Sequence, residues 1–453
     1  LAFIFSVSGF VAFRAILTFR YSVFTLLSCY PMFQRALGSS HRAAEVNLPT
    51  ICRTPWLRDT SVNGSLQTKL REEAQCTRLQ RLSDRMMDVD ELKETIQTIQ
   101  CHVSTTESSE EHLTYIDYGQ FKKLALVVST KARLFFNAFT YASLLSSDPY
   151  GRISLDDLMR YIMRKTWLYQ MRISLAQYDV SGCGWLSESD LETYITDLIP
   201  TMPALASMEQ EFLPYYLCVA VKNFVFFLDQ QRAGRVRIMD LIASGLLEEL
   251  FELRNSDASA NLTETDGNRF SQYFATQLYG QFMNLDSDSN GMLSVEELMN
   301  YGSGTLTKEF VMRVFQESIT TDGEMDFRGF VDFSLAMENN NDPAAVNYLF
   351  KIFDIRQRGY LDSFSLNYFY RGIQRSIEEH NYPRVKFEDI NAELFDMIRP
   401  AVPDQITALD LKRSNCAGLF FNILSHLEGF LSYENREISN APLQSECDQD
   451  VHF

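Results

Sequence analysis

Asp286, Asp288, Asn290, Ser294 and Glu297 occupy positions 1, 3, 5, 9 and 12 of one unbroken stretch, DSDSNGMLSVEE. Carboxylate, amide and hydroxyl oxygens at that spacing can wrap a hard cation, and they match the calcium loop D-x-[DN]-x-[DN]-G-x5-E. Asp286, Asp288 and Asn290 supply side-chain oxygens, Met292 at position 7 offers its carbonyl, and Ser294 acts directly or through water. Glu297 closes the shell with both carboxylate oxygens. Gly291 at position 6 permits a turn that a side chain would strain. The expected metal is Ca2+, with these six residues as its ligands.

Such a loop needs two helices to hold it. Phe274, Leu278, Phe282 and Leu285 recur at helical spacing before it, and Leu298 opens the helix that follows. Leu293, at position 8, is expected in the core beneath the loop. Used as a ruler, this loop reveals a repeat: glycine at position 6 and an apolar residue two later. It recurs as Gly151/Ile153, Gly184/Leu186, Gly234/Val236, Gly291/Leu293, Gly323/Met325 and Gly359/Leu361, with glycine spacings of 33, 50, 57, 32 and 36. Periodicity on this scale marks duplicated helix–loop–helix units of the EF-hand type.

The ligands decay in the other copies. From Asp179, position 5 is Cys183 and position 12 is the shorter Asp190. From Asp229, position 5 is Ala233 and position 9 is Arg237; from Asp354, positions 3 and 5 are Arg356 and Arg358 and position 12 is Ser365. A guanidinium in the shell opposes a divalent cation. The loop around Gly323 holds Asp322, Glu324 and Asp326 but ends at Gly329. These copies are expected to keep the fold without the metal, with some oxygen ligands surviving in the Asp179 loop.

The expected fold class is all-α: tandem EF-hand domains with additional helical segments at both ends. Residues 1–65, apolar and then polar, fall outside it. Arg14 and Arg20 interrupt the apolar run, leaving no uncharged 18-residue span for a membrane helix. A helical region follows at 66–145, then a first EF-hand-like domain with degenerate loops at 146–254 and a polar linker at 255–268. The second EF-hand domain, at 269–380, carries the calcium loop. Further helices at 381–436 and a disordered tail at 437–453 complete the plan. The aromatic block Phe224-Val225-Phe226-Phe227-Leu228 reads as the core of a helix leading into a loop.

A net charge of −18 disfavours nucleic acid and anionic lipid as partners, since both need positive potential. Eight cysteines without a C-x-x-C pair indicate neither a zinc site nor a disulfide framework. The six histidines form no H-E-x-x-H, and no G-x-S-x-G, P-loop or Rossmann glycine run occurs. No catalytic constellation emerges, so the chain is expected not to be an enzyme.

Long stretches carry a more specific likeness: SDPYGRISLDDLMRYIMRKTWL, LAQYDVSGCGWLSESDLETYITDLIPTMP, YGQFMNLDSDSNGMLSVEELMNYG, VFQESITTDGEMDFRGFVDFSLAMEN and LFKIFDIRQRGYLDSFSLNYFYRGIQ. From about Leu66 to Arg436 the chain resembles the B-double-prime regulatory subunits of serine/threonine protein phosphatase 2A, and within them the gamma type. The resemblance implies a non-catalytic subunit whose two EF-hand-containing halves dock on the helical-repeat scaffold and catalytic subunits and direct them to phosphoprotein substrates. It implies a calcium loop at Asp286, Asp288, Asn290, Ser294 and Glu297 with the Met292 backbone. It also implies a cytoplasmic protein, with nucleus, centrosome, spindle and microtubules as further locations. Residues 1–65 depart from the family's charged N-terminus. The competing expectation is a free-standing calcium sensor that recruits other targets; the chain's length, degenerate loops and extra helices count against it.

Overall fold

The computed structural model describes residues 66–104, 115–145, 148–206, 208–254 and 267–436. The expectations for 1–65, for nearly all of the linker 255–268 and for the tail 437–453 lie outside the described residues. Within them the chain is mostly helical, and its four strands are only two or three residues long. No described helix is long and apolar enough to cross a membrane.

The chain forms two compact units. Described residues 66–206 and 235–254 belong to the first, 208–234 and 267–436 to the second. The chain passes between them at Gly234 and Arg235, inside the loop opened by Asp229. The helix Leu213–Leu228, which leads into that loop, is therefore part of the second unit. Its aromatic block is core as expected, with Phe224, Val225 and Phe226 buried.

In the first unit, strand β1 (Tyr115–Ile116) runs antiparallel to β2 (Ile153–Ser154), with Ile116 opposite Ile153. Strand β3 (Trp185–Ser187) pairs in the same way with β4 (Arg235–Arg237), with Leu186 opposite Val236. The 22-residue helix Leu155–Ala176 leaves one loop and leads into the next. Around β1 and β2 the core gathers Leu92, Ile99, Phe121, Leu124, Leu158 and Ile162.

The second unit repeats the device with single bridges, Leu293 to Met325 and Leu361 to Ile406. The apolar residue at position 8 is the common element. Ile116, Ile153, Leu186, Val236, Leu293, Met325, Leu361 and Ile406 are all at most 1% exposed. Each joins its partner's backbone while its side chain fills the core, so one residue serves both pairing and packing.

Two of these pairing partners escape a ruler based on glycine. Ile116 stands directly before the N-cap Asp117. Ile406 lies in a loop at 399–410, within the segment expected to hold further helices, where Asp404 instead of glycine adopts a left-handed φ of +61°. Aspartate tolerates that conformation better than most residues. The segment 381–436 therefore contains helices Phe387–Ile398, Ala408–Ser414, Ala417–Ser425 and Leu427–Glu434 plus a pairing loop.

Candidate metal centre

Loop 286–297 joins the helices Gln272–Leu285 and Val295–Leu298. Ser294 begins the second by a capping box: the Glu297 N–H donates to Ser294 Oγ at 3.3 Å, and the Ser294 N–H donates to Glu297 Oε2 at 2.9 Å. Positions 9 and 12 of the loop are thus also N-cap and N3 of the following helix, where a hydroxyl and a carboxylate satisfy orphan N–H groups.

The opening aspartate holds the turn. Asp286 Oδ2 accepts from the Gly291 N–H at 2.9 Å and Oδ1 from the Asn290 N–H at 3.1 Å. Gly291 takes a φ of +80°, the region glycine enters without steric cost. Asp286 and Glu297 are buried at 4% and 7% exposure, while Asp288 is exposed. One carboxylate oxygen from each of the three lies within 4.8 Å of the others. Among the described residues this is the one group of three or more His, Cys, Asp or Glu side chains close enough to hold a metal ion.

The electrostatics fit a cation. Burial pushes Asp286 above the ordinary carboxylate range, and the neighbouring Asp288 and Glu297 add to this against the lowering by the Gly291 and Asn290 N–H groups. Burial also pushes Glu297 up, but hydrogen bonds from Ser294 and Ser287 outweigh it and hold the carboxyl at about 2. The loop keeps Glu297 ionised beside two other acids, and a bound divalent cation would relieve that crowding.

Of the six expected ligands, the structure brings Asp286, Asp288 and Glu297 together. Asn290 lies alongside, its Nδ2 donating to Asp288 Oδ2 at 3.1 Å and its Oδ1 accepting from the Met292 N–H at 2.7 Å. Ser294 Oγ donates to Glu297 Oε2 at 2.9 Å. Ser287 carries no role in the ligand pattern, yet its N–H and Oγ donate to Glu297 Oε1 at 2.8 and 2.7 Å. The ligand template is silent on position 2, so only geometry reveals it. The donor set is entirely oxygen, which suits Ca2+ or Mg2+ over softer metals. If bound, the ion would be held by Asp286, Asp288, Asn290, Glu297 and the Met292 carbonyl, with Ser294 close by.

The other loops keep the scaffold. Asp179, Asp229 and Asp354 are all buried, and their Oδ2 atoms accept from Gly184, Gly234 and Gly359 N–H at 2.6, 2.7 and 2.7 Å. In the Asp354 loop, Arg356 Nη1 pairs with Asp362 Oδ2 at 3.1 Å. Burial pushes Asp362 up, but hydrogen bonds from Ser365 and the Arg356 and Arg358 charges bring it below its ordinary value. There the loop's positive charge is covalent.

The described residues make a helical protein of paired helix–loop–helix units, with one cation-suited loop among them. No family model matches the chain. It is 46% identical over 373 residues to the B'' gamma regulatory subunit of serine/threonine-protein phosphatase 2A from Danio rerio, covering 82% of this chain and 81% of that one. The Homo sapiens gamma protein gives 46% over 372 residues, with the same shares of the two chains. The probable B'' regulatory protein TON2 of Arabidopsis thaliana is 32% identical over 389 residues, covering 83% and 80%. The chain belongs to the B'' family of protein phosphatase 2A regulatory subunits. Among solved structures, a chain of a PP2A PR70 holoenzyme designated diCa shares the fold, with a TM-score of 0.53 and 24% identity over 58% of this chain and 98% of that one.

Proposed function

We propose that this chain is a calcium-binding regulatory subunit that joins the scaffold and catalytic subunits of phosphatase 2A and directs them to phosphoprotein substrates. Its family membership supports the regulatory role. The observation that carries the calcium part is the convergence of Asp286, Asp288 and Glu297 oxygens within 4.8 Å on a loop whose backbone is already turned. A solved relative of the same fold, designated diCa, is consistent with it. The protein works in the cytoplasm, with the nucleus and centrosome as further sites, in the organisation of spindle and microtubules.

In this reading calcium draws Glu297, and with it the helix Val295–Leu298, toward Asp286 and Asp288. Any effect on core affinity must be reciprocal: if calcium tightens core binding, the core tightens calcium binding by the same factor. A pull-down with purified scaffold and catalytic subunits, in calcium and in chelator, tests the regulatory part, and the difference between the two buffers reads any coupling to calcium. Capture of both subunits is expected; failure to capture them in either buffer contradicts the regulatory role.

A further inference from the structure

The hairpin paired with loop 286–297 brings an acid to it. Leu293 and Met325 exchange backbone hydrogen bonds, both at 2.8 Å. Just before Met325 the chain turns tightly from Thr321 to Glu324, which exchange hydrogen bonds of 3.0 Å, with Asp322 and Gly323 at φ +56° and +87°. Left-handed values at both central residues mark a primed hairpin turn. That turn sets the Glu324 carboxylate against Asn290, whose Nδ2 donates to its Oε1 and Oε2 at 3.4 and 3.3 Å.

An asparagine amide has one end that can serve a cation and one that cannot. Here the nitrogen end is held by two carboxylates, Asp288 and Glu324, and the oxygen end by the Met292 N–H. Reversing the amide would set oxygen against two anions and an NH2 group against an N–H. We propose that Glu324, from the partner loop, is a positioning residue for the metal loop: it fixes the Asn290 amide so that its oxygen, and not its nitrogen, is the end presented within the loop. This rests on the calcium reading above and adds to it a determinant of affinity outside the twelve-residue motif. Groups that orient metal ligands act in this way from the outer shell.

The test separates orientation from simple charge. Calorimetric calcium titration of the full chain is expected to show about a tenfold loss for Glu324→Ala, the scale of outer-shell substitutions. In an Asn290→Asp background there is no amide to orient, so Glu324→Ala should there cost markedly less. Equal losses in both backgrounds would mean that Glu324 acts only through its charge and would overturn the proposal, as would no loss in the native background. A second readout needs no metal: with selectively labelled asparagine, the Asn290 side-chain amide should be ordered in the metal-free native protein and gain mobility in Glu324→Ala. An unchanged amide would refute the positioning role. A chain that shows this gain in mobility yet binds no calcium would leave the positioning role standing and refute the calcium reading instead.

Discussion

In loop 286–297 the buried Asp286 accepts the Gly291 N–H at 2.9 Å; in loop 354–365 the buried Asp354 accepts the Gly359 N–H at 2.7 Å. Leu293 and Leu361 are both fully buried and both bridge to an apolar partner, Met325 and Ile406. Ser294 and Asp362 both cap the helix that follows. Their side-chain ligands part company at positions 3, 5 and 12: Asp288, Asn290 and Glu297 in one, Arg356, Arg358 and Ser365 in the other, with Ile355 where Ser287 supports Glu297. The lesson is a division of labour within the motif. Positions 1, 6, 8 and 9 build the turn whether or not a metal is bound, and positions 3, 5 and 12 decide whether a cation is welcome.

Converting one loop into the other should give the largest effect. Arg356→Asp, Arg358→Asn and Ser365→Glu together remove two cations and restore three oxygen ligands on an existing scaffold. A second calcium-binding event is expected in calorimetry, at least about a hundredfold tighter than any residual binding of the native loop. Unchanged stoichiometry in a folded variant would show that the scaffold of 354–365 differs in more than its ligands.

Acid should distinguish the loops next. Glu297 is held at about 2 against an ordinary 4.5, so it contributes stability above about pH 4.5 that is lost as pH falls toward 2. Ser365 has no such titration. The contribution amounts to at most about 3 kcal/mol, from which the opposite shift of Asp286 subtracts. Metal-free native protein should lose more of its urea midpoint between pH 5 and pH 3 than Glu297→Gln. Parallel losses would remove the hydrogen-bonded carboxylate from the account.

A smaller effect tests the scaffold alone. Gly184 sits at φ +82° with open space where a Cβ would stand, so the cost of Gly184→Val lies first in forcing a β-branched residue into the left-handed region. The substitution should cost about 1–2 kcal/mol, read as a lower melting temperature in calcium-free buffer. No change there would mean that the turn in the ligand-poor Asp179 loop is not required by the fold.

Much of this was legible in the sequence because the turn needs glycine and the core needs an apolar residue two places later. Those two demands mark Gly184/Leu186 as clearly as Gly291/Leu293, whatever has become of the ligands. Loop 399–410 was hidden because Asp404 takes the left-handed position that the ruler reserves for glycine. The pairing of β1 was hidden because Ile116 is followed at once by a helix cap, leaving nothing glycine-based to align. Ser287 and Glu324 were hidden for a different reason. One acts from a position that the ligand pattern ignores and the other from 34 residues away, through a pairing that exists only once both loops are folded.

The central claim is that calcium binds at loop 286–297 and that the loop opened by Asp354 serves only the fold. The direct measurement is calcium titration by calorimetry of the native chain, Glu297→Gln and Asp354→Ala at one pH and ionic strength. The tightest binding event should weaken at least about a hundredfold in Glu297→Gln. It should be unchanged in Asp354→Ala, which instead melts earlier for want of the buried acceptor. Tight binding that survives in Glu297→Gln, or disappears in a folded Asp354→Ala protein, would contradict the account.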